Sequence, residues 1–164
     1  MPATRTEPYR VLMVCWGNIC RSPAAEGLLR HLAAERGLVI EVDSAGTSRE
    51  HEGQGPHRRT VAEARRRGLD LSSLRARQLR PEDFDRFDLI LTADDMVDRI
   101  VRQRAPDASR AKVLRMTEVG PDFSACREVP DPYYGDQDDY AHVFDLLERA
   151  MNGLVDTLSA GRRP

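Results

Sequence analysis

Apolar and polar residues follow two different periods along the chain. Four short apolar runs, at residues 11–14, 39–42, 89–91 and 112–114, have the length and composition of buried strands. Between them and after the last one, apolar residues recur every three or four positions, as on one face of a helix. Strands that alternate with helices in this way predict an α/β protein with a single doubly wound, four-stranded parallel sheet and helices on both faces.

The positions of the helices follow from the same pattern and from the residues that end helices. The first helix is predicted over residues 23–36 and the second over residues 61–68, each ending at a glycine. A short helix is expected after Pro81, and a fourth over residues 95–104 is ended by a proline. The last helix is the clearest, because apolar residues repeat at helical spacing from 140 to 158.

The segment that joins the first strand to the first helix carries the most informative motif, in which five residues separate a cysteine from an arginine. Its residues are Cys15, Trp16, Gly17, Asn18, Ile19, Cys20, Arg21 and Ser22. A helix N-terminus exposes backbone N–H groups and the positive end of the helix dipole, so a short loop leading into it can surround an anion. Gly17 and Asn18 tolerate the unusual backbone angles that such a loop requires. We call residues 15–22 the phosphate loop.

Two side chains of the phosphate loop have the chemistry to act on a phosphate ester. A thiol at a helix N-terminus beside an arginine ionises readily and is a nucleophile without a neighbouring base, as expected for Cys15. The planar guanidinium of Arg21 can bind two phosphoryl oxygens at once. Pro23 suits the first helical position. Ser22 either caps the helix or donates a hydrogen bond to the Cys15 sulfur, and the sequence leaves both roles open.

With this loop the chain resembles the low-molecular-weight protein tyrosine phosphatases, and the resemblance covers nearly the whole chain. Besides the phosphate loop it rests on segments 42–47, 76–78, 83–84, 87–91 and 131–134, in the order and spacing of that family. The resemblance implies one phosphatase domain over residues 1–164, of flavodoxin-like topology. It also implies hydrolysis of tyrosine-phosphorylated proteins through a cysteinyl-phosphate intermediate, without a metal or other cofactor.

The resemblance also implies roles for individual residues. Cys15 would be the nucleophile, Arg21 the phosphate clamp and Asp131 the general acid. The phosphate would be bound by the rest of the phosphate loop, which consists of Trp16, Gly17, Asn18, Ile19, Cys20 and Ser22. Asn18, Ser22 and Ser44 match positions that hold this loop by hydrogen bonds in the family.

Asp131 is also a candidate from its local sequence. Residues 120–132 are rich in proline, glycine and aspartate, which predicts a long loop, and Pro132 stiffens its end. Displacing tyrosine from phosphate releases a phenolate, and a nearby carboxylic acid can protonate it. Tyr133 and Tyr134 follow directly, and they either form an aromatic rim for the substrate ring or pack in the core or against a helix.

Two positions depart from the family pattern. Glu50 stands where many relatives have a tryptophan, so we expect it at the pocket rim, where it would repel phosphate or acidic sequences. Trp16 could supply ring contact from the other side of the pocket. Leu74 stands where eukaryotic members have a histidine, so we expect Asp94 to be an exposed loop acid rather than a member of a hydrogen-bond network.

Composition limits the partners and the location. The chain has 25 basic and 27 acidic residues and a net charge of −2, which indicates neither a nucleic-acid nor a membrane partner. No apolar segment has the length of a signal peptide or a membrane span, so we expect a cytoplasmic protein, monomeric or weakly dimeric. An arginine cluster is either a solvated helix face or a basic rim for acidic phosphopeptides; it consists of Arg58, Arg59, Arg65, Arg66 and Arg67.

The chain has three cysteines, and the role of Cys20 and two alternative functions have to be considered. Three cysteines are too few for a disulfide scaffold. Cys20 either traps an oxidised Cys15 as a disulfide, as the resemblance implies, or is a small packed side chain. A thioredoxin-coupled arsenate reductase of the same fold would need a further cysteine relay, for which only Cys126 is available. A phosphotyrosine-binding module would keep the loop but lose the thiol, the arginine or the acid, and all three are present.

Overall fold

Four parallel strands form one sheet in residues 7–120 and 128–164, the part of the chain that the computed structural model describes. The strands are β1 (Tyr9–Cys15), β2 (Ile40–Gly46), β3 (Leu89–Thr92) and β4 (Lys112–Arg115). Their order in the sheet is β2-β1-β3-β4, and every neighbouring pair is parallel. The predicted doubly wound α/β fold with flavodoxin-like topology is therefore confirmed.

Five α-helices connect and cover the strands in the described ranges: α1 (Arg21–Glu35), α2 (Arg58–Arg66), α3 (Asp83–Arg86), α4 (Asp95–Arg104) and α5 (Gln137–Ser159). The bounds of α4 are those predicted. Helix α1 begins two residues earlier than predicted, and its N-cap residue is Cys20 rather than Ser22. Pro23 is consequently the third helical residue, where the backbone N–H would still have no helical partner.

The residues of β1 face alternate sides of the sheet, and each side has its own apolar core. Val11 and Met13 belong to the core that α1 and α5 cover, whereas Leu12 and Val14 belong to the core that α3 and α4 cover. All four side chains are completely buried. This explains the continuous apolar run in β1, because a strand covered on both faces has no polar side.

The topology places a crevice at the carboxyl ends of β1 and β3. From β1 the chain crosses to β2 on one side, and later to β3 on the other, which is the switch point where doubly wound sheets bind ligands. Cys15 is the last residue of β1 and belongs to the core under α1 and α5. None of the helices in the described ranges combines the length and apolar character needed to cross a membrane.

Candidate active site

The phosphate loop turns tightly from the end of β1 into α1. Asn18 has a left-handed backbone, with φ of 57°, and its N–H lies 3.3 Å from the Cys15 sulfur. Gly17, for which we predicted similar freedom, is not in the left-handed region. Glycine is favoured at position 17 for another reason: a Cβ there would lie 2.9 Å from Cδ2 of His51. The loop therefore needs Asn18 for its turn and Gly17 for close packing.

The backbone carbonyls of the phosphate loop are bound by the segment that follows β2. The N–H groups of Thr47 and Ser48 donate to the carbonyl oxygens of Cys15 and Trp16, at 3.0 and 2.9 Å. A Cβ on Gly46 would lie 2.8 Å from the Trp16 oxygen, so only glycine allows this approach. With its carbonyls engaged by the protein, the loop can offer its N–H groups to an anion.

Asn18 sets the direction of the hydrogen bonds around the Cys15 sulfur. Its Oδ1 accepts the N–H of Arg77 at 3.0 Å, which fixes the orientation of the amide. Its Nδ2 then donates to the hydroxyls of Ser22 at 2.8 Å and Ser44 at 2.9 Å. The Ser22 oxygen lies 3.0 Å from the Cys15 sulfur, and its own hydrogen is left for that sulfur. Of the two roles left open for Ser22, the structure has the hydroxyl beside the thiol.

A buried carboxylate completes this network. Ser44 Oγ donates to Glu26 Oε1 at 2.6 Å, and Glu26 is only 2% exposed. Its other oxygen accepts from Arg30 Nη2 at 2.6 Å, an ion pair that compensates the buried charge. Sequence reasoning missed Glu26. The available signal was an acidic residue in the apolar stretch of α1, four positions before an arginine.

Arg21 is held at both ends of its guanidinium. Nη1 donates to Asp94 Oδ2 at 2.7 Å and to the Val129 carbonyl at 2.9 Å, and Nη2 lies 3.8 Å from Asp131 Oδ2. The residue is 2% exposed. Burial opposes its charge, but the interactions with Cys15 and Asp94 outweigh burial and raise the pKa of Arg21. The guanidinium is therefore a fixed, permanently charged group beside Cys15.

The expectation that Asp94 is an exposed loop acid is wrong. Besides its bond to Arg21, Asp94 accepts the N–H of Val97 at 2.8 Å and so caps α4. The expectation rested on the loss of a histidine partner at Leu74, but the partner of Asp94 is the arginine. Asp94 follows β3, and the carboxyl end of β3 adjoins that of β1, which explains the contact.

Asp131 lies at the mouth of the site, in the segment 128–134 that we call the acid loop. Its Oδ1 accepts the N–H of Tyr133 at 3.1 Å, and its side chain is 52% exposed. The Val129 N–H donates to the Ala93 carbonyl at 2.8 Å, which ties the acid loop to the end of β3. The rest of the predicted long loop, residues 121–127 with Cys126, lies outside the described residues.

One pocket brings most of the predicted site residues together. Its lining consists of Cys15, Trp16, Gly17, Ile19, Cys20, Arg21, Glu50, His51, Asp131, Tyr133 and Tyr134. Asn18, Ser22 and Ser44 lie behind it and act through the hydrogen bonds described above. Neither tyrosine belongs to the core, since Tyr133 is 38% and Tyr134 97% exposed. Glu50 and Trp16 also line this cavity, which we call the aryl pocket.

Two histidines that sequence reasoning did not place in the site belong to the aromatic wall of the aryl pocket. The ring of His51 lies between Trp16 and Tyr133, at centroid distances of 6.3 and 6.0 Å. The ring of His57 contacts Tyr133 from the other side, at 5.6 Å. Both histidines lie in a polar loop region with no apolar period, so the sequence gives little sign of these contacts.

Cys20 is a residue of the phosphate loop, and its side chain is buried next to α5. It is 6% exposed, and its sulfur lies 3.6 Å from the Tyr140 hydroxyl. Burial raises the pKa of the Cys20 thiol to about 11, so this thiol is protonated at neutral pH. Cys20 is thus both a packed side chain and part of the pocket lining, and its redox role stays a prediction.

The charged groups around the site separate into structural pairs and exposed residues. Arg66 and Arg67 bind the buried Glu63, and Arg67 also reaches the carboxylate of Asp145, so this part of the arginine cluster belongs to the helix surface. A basic rim stays a prediction for the rest of the cluster. In the described residues no group of three or more histidine, cysteine or acidic side chains is arranged to hold a metal ion.

Known proteins are similar to this chain in sequence and in fold. A model of the family described as low molecular weight phosphotyrosine protein phosphatase matches residues 10–163. A low molecular weight protein-tyrosine-phosphatase of Streptomyces coelicolor is 40% identical over 155 residues, which cover 90% of this chain and 92% of the relative. One from Bacillus subtilis is 41% identical over 147 residues, covering 88% and 92%.

Solved structures agree with the sequence relatives. The crystal structure of a protein tyrosine phosphatase from Entamoeba histolytica is similar with a TM-score of 0.87 and 35% sequence identity. The similarity covers 93% of this chain and 98% of that chain. The comparisons thus extend over the sheet, the phosphate loop and α5 together.

Proposed function

Because the chain belongs to the low molecular weight phosphotyrosine protein phosphatase family and is a phosphoric monoester hydrolase, we propose that it hydrolyses phosphotyrosine through a cysteinyl-phosphate intermediate. The substrates are tyrosine-phosphorylated proteins. The observation that supports this best is the meeting of Cys15, Arg21 and Asp131 at one pocket. These groups supply a nucleophile, a phosphate clamp and an acid within one site.

In the first step the sulfur of Cys15 attacks the phosphorus. The phosphoryl oxygens lie in the phosphate loop, against its N–H groups and the Nη2 side of Arg21. The S–P bond forms as the bond between phosphorus and the tyrosine oxygen breaks. Asp131 enters this step protonated and gives its proton to that oxygen, so tyrosine leaves as a neutral phenol.

In the second step water replaces the sulfur on phosphorus. Asp131, now a carboxylate, takes a proton from the attacking water, and the S–P bond breaks to release inorganic phosphate. The sulfur leaves as a thiolate, and the Ser22 hydroxyl at 3.0 Å and the Asn18 N–H at 3.3 Å stabilise its charge. The half-exposed position of Asp131 allows its proton to exchange with solvent between turnovers.

The walls of the aryl pocket support the proposed preference for phosphotyrosine. The phosphate lies at the floor, next to Cys15, and the leaving group extends past the rings of His51 and Tyr133 toward Trp16. An aromatic leaving group gains contact with these rings. The side chains of phosphoserine and phosphothreonine are too short to reach along the walls, so we expect them to be poor substrates.

Leaving-group dependence tests the role of Asp131. Asp131→Asn should slow hydrolysis of phenyl phosphate about 10²- to 10⁴-fold, the usual contribution of a general acid. The loss on 4-nitrophenyl phosphate should be much smaller, because nitrophenolate leaves without protonation. Asp138→Asn removes an exposed carboxylate of α5 outside the pocket and should leave both rates unchanged. Equal losses on both esters would remove Asp131 from the acid role.

A second measurement tests the intermediate. Cys15→Ser should abolish turnover and keep binding of inorganic phosphate, because the loop N–H groups and Arg21 persist. In the wild type, rapid quenching during turnover of a ³²P-labelled aryl phosphate should trap acid-stable phosphate on Cys15. Turnover without any trapped phosphate would contradict the covalent route, and arsenate-dependent thiol oxidation with negligible phosphatase activity would favour the reductase alternative.

A further inference from the structure

His57 contacts three separate parts of the site. Its backbone N–H donates to the Ile19 carbonyl of the phosphate loop at 2.8 Å. Its Nδ1 accepts the backbone N–H of Arg59 at 3.1 Å and so caps α2. Its ring stacks on Tyr140, at a centroid distance of 5.2 Å and an interplanar angle of 24°. A second ring contact is edge-on to Tyr133, at 5.6 Å and 68°.

The cap fixes the protonation state of the ring. Because Nδ1 accepts a hydrogen bond, it carries no proton, and a proton on the ring of His57 resides on Nε2. Partial burial and the neighbouring charges of Arg58 and Arg59 lower the pKa of His57, which favours the same neutral form. The ring is therefore an uncharged, flat surface held in one orientation at neutral pH.

The two tyrosines that contact His57 differ in how firmly they are held. Tyr140 is 1% exposed in α5, and its hydroxyl lies 3.6 Å from the Cys20 sulfur. Tyr133 is 38% exposed, and its side chain contacts the rings of His51, His57 and Tyr134. Among these three rings, His57 is the one stacked on a completely buried residue. It thus joins an exposed wall of the pocket to the core.

Tyr133 is in turn joined to the general acid. Its backbone N–H donates to Asp131 Oδ1 at 3.1 Å, across one intervening proline. A displacement of Tyr133 therefore changes the position of the Asp131 carboxyl group. The other oxygen of that group is the one 3.8 Å from Arg21 Nη2, on the side of the phosphate.

We propose that His57 is a positioning residue that holds Tyr133 as a wall of the aryl pocket and, through Tyr133, orients Asp131. The inference rests on the proposed function, because the wall and the acid serve cleavage of an aryl ester. His57 caps α2 and holds Tyr133, and these two roles can be tested separately. The cap uses only Nδ1, whereas the contact with Tyr133 uses the ring. A residue with a merely structural role would act only as the cap of α2.

Two substitutions separate the cap from the wall. His57→Asn keeps a strong N-cap acceptor and removes the ring, whereas His57→Phe keeps a flat ring and removes the acceptor. For His57→Asn we expect α2 to keep its cap and the KM for phenyl phosphate to be about three- to tenfold higher, the size of a lost aromatic contact. Its ratio of kcat on phenyl phosphate to kcat on 4-nitrophenyl phosphate should fall. His57→Phe should unfold at a lower temperature and keep both kinetic values.

A chemical readout keeps the test independent of the catalytic mechanism. Tetranitromethane nitrates exposed tyrosine rings, and peptide mapping should show faster nitration of Tyr133 in His57→Asn than in the wild type. The matched control is His142→Asn, an exposed histidine of α5 outside the pocket, which should match the wild type in every assay. Unchanged KM, leaving-group ratio and nitration in His57→Asn would overturn the proposal. Failure of the proposed function would instead appear as absent phosphotyrosine hydrolysis in the wild type, with the nitration difference intact.

Discussion

Arg21 donates from Nη1 to Asp94 at 2.7 Å, while its Nη2 lies 3.8 Å from Asp131, so one guanidinium lies between two carboxylates of different exposure. The side chain of Asp94 is 20% exposed and that of Asp131 is 52% exposed. The inner carboxylate acts as an anchor at the end of β3. The outer one lies at the pocket mouth, where it can reach both the leaving group of a bound ester and solvent.

Replacing Asp94 by asparagine tests the anchor. Asparagine is as good an N-cap as aspartate, so α4 should keep its cap, while the buried guanidinium of Arg21 loses its nearest carboxylate and the unfolding temperature should fall. With its single oxygen accepting the Val97 N–H, the asparagine turns its NH2 group toward Arg21 Nη1, and two donors cannot bond to each other. The hydrogen bond to Arg21 is therefore lost, and kcat/KM on aryl phosphates should fall about 10- to 100-fold, the equivalent of a hydrogen bond to a charged group. Affinity for vanadate should fall in parallel, because the same guanidinium orientation binds the oxyanion.

The neighbouring residue provides the control for this prediction. Asp95 pairs with Arg115 at the surface, and Asp95→Asn removes the same charge one residue further along the chain. Its kcat/KM should stay within a factor of two of the wild type, which corresponds to a few tenths of a kcal/mol for a surface pair. Equal losses in the two variants would show a general charge effect instead of an anchor.

The sequence predicts those parts of this site whose signals are local. The phosphate loop is a run of eight residues, and continuous apolar runs and helical periods on either side of it predict β1 and α1. Glu50, Tyr133 and Tyr134 line the pocket. The sequence identifies them because the segments around them have the order and spacing of the family. Local chemistry and strand order therefore suffice for the fold, the phosphate loop and much of the pocket lining.

Contacts between distant residues account for what was missed. Asp94 and Arg21 are 73 positions apart, and nothing near either residue identifies its partner. Glu26 resembles an exposed helical acid until Ser44 and Arg30 are seen around it. His57 lies in a polar segment, and its partners come from the acid loop and from α5. Such roles depend on side chains that only the fold brings together. The local pattern of apolar and polar residues contains no information about these contacts.

Glu50 should select against acidic substrates. Its exposed carboxylate is part of the lining of the aryl pocket, so it lies close to residues that flank a bound phosphotyrosine. Glu50→Gln should raise kcat/KM about two- to fivefold on phosphopeptides with acidic flanking residues, the size of an exposed charge interaction. The gain should shrink in high salt, because added ions screen exposed charges.

The control for Glu50 is two residues away. Glu52→Gln removes an exposed charge of the same loop that does not line the pocket, and it should leave the peptide preference unchanged. Neutral phosphopeptides should react at nearly the same rate with all three proteins. A gain of equal size for neutral and acidic peptides would show that Glu50 does not act on the flanking residues.

Cys20 should protect the nucleophile from irreversible oxidation. Peroxide would oxidise the sulfur of Cys15 to a sulfenic acid, and attack by the Cys20 sulfur would release water and form a disulfide that a dithiol reduces. Because burial raises the pKa of Cys20 to about 11, the Cys20 thiol itself resists peroxide at neutral pH. We expect dithiothreitol to restore activity to peroxide-treated wild type and not to Cys20→Ala. Equal recovery of the two proteins would contradict this role.

The neutral state of His57 makes the stability of the protein depend on pH. Its pKa is lowered by partial burial and by the charges of Arg58, Arg59 and His51. Burial raises the pKa of Tyr140, which stacks on the ring of His57, so this tyrosine carries no charge at neutral or acidic pH. The unfolded chain therefore binds a proton on this histidine at a higher pH than the folded chain does, since the ordinary value is 6.5.

Lowering the pH should consequently destabilise the wild type more than His57→Asn. Above about pH 6.5 the histidine is neutral in both states and has no effect, and as the pH falls below this value the unfolded state gains the proton first. The free energy of unfolding, measured with urea between pH 8 and pH 5 for both proteins, should diverge below that point and run parallel once the folded protein is also protonated. Because the other titrating groups are shared, the difference between the two curves isolates His57. Parallel curves across the whole range would show that protonation of this ring costs the folded state nothing.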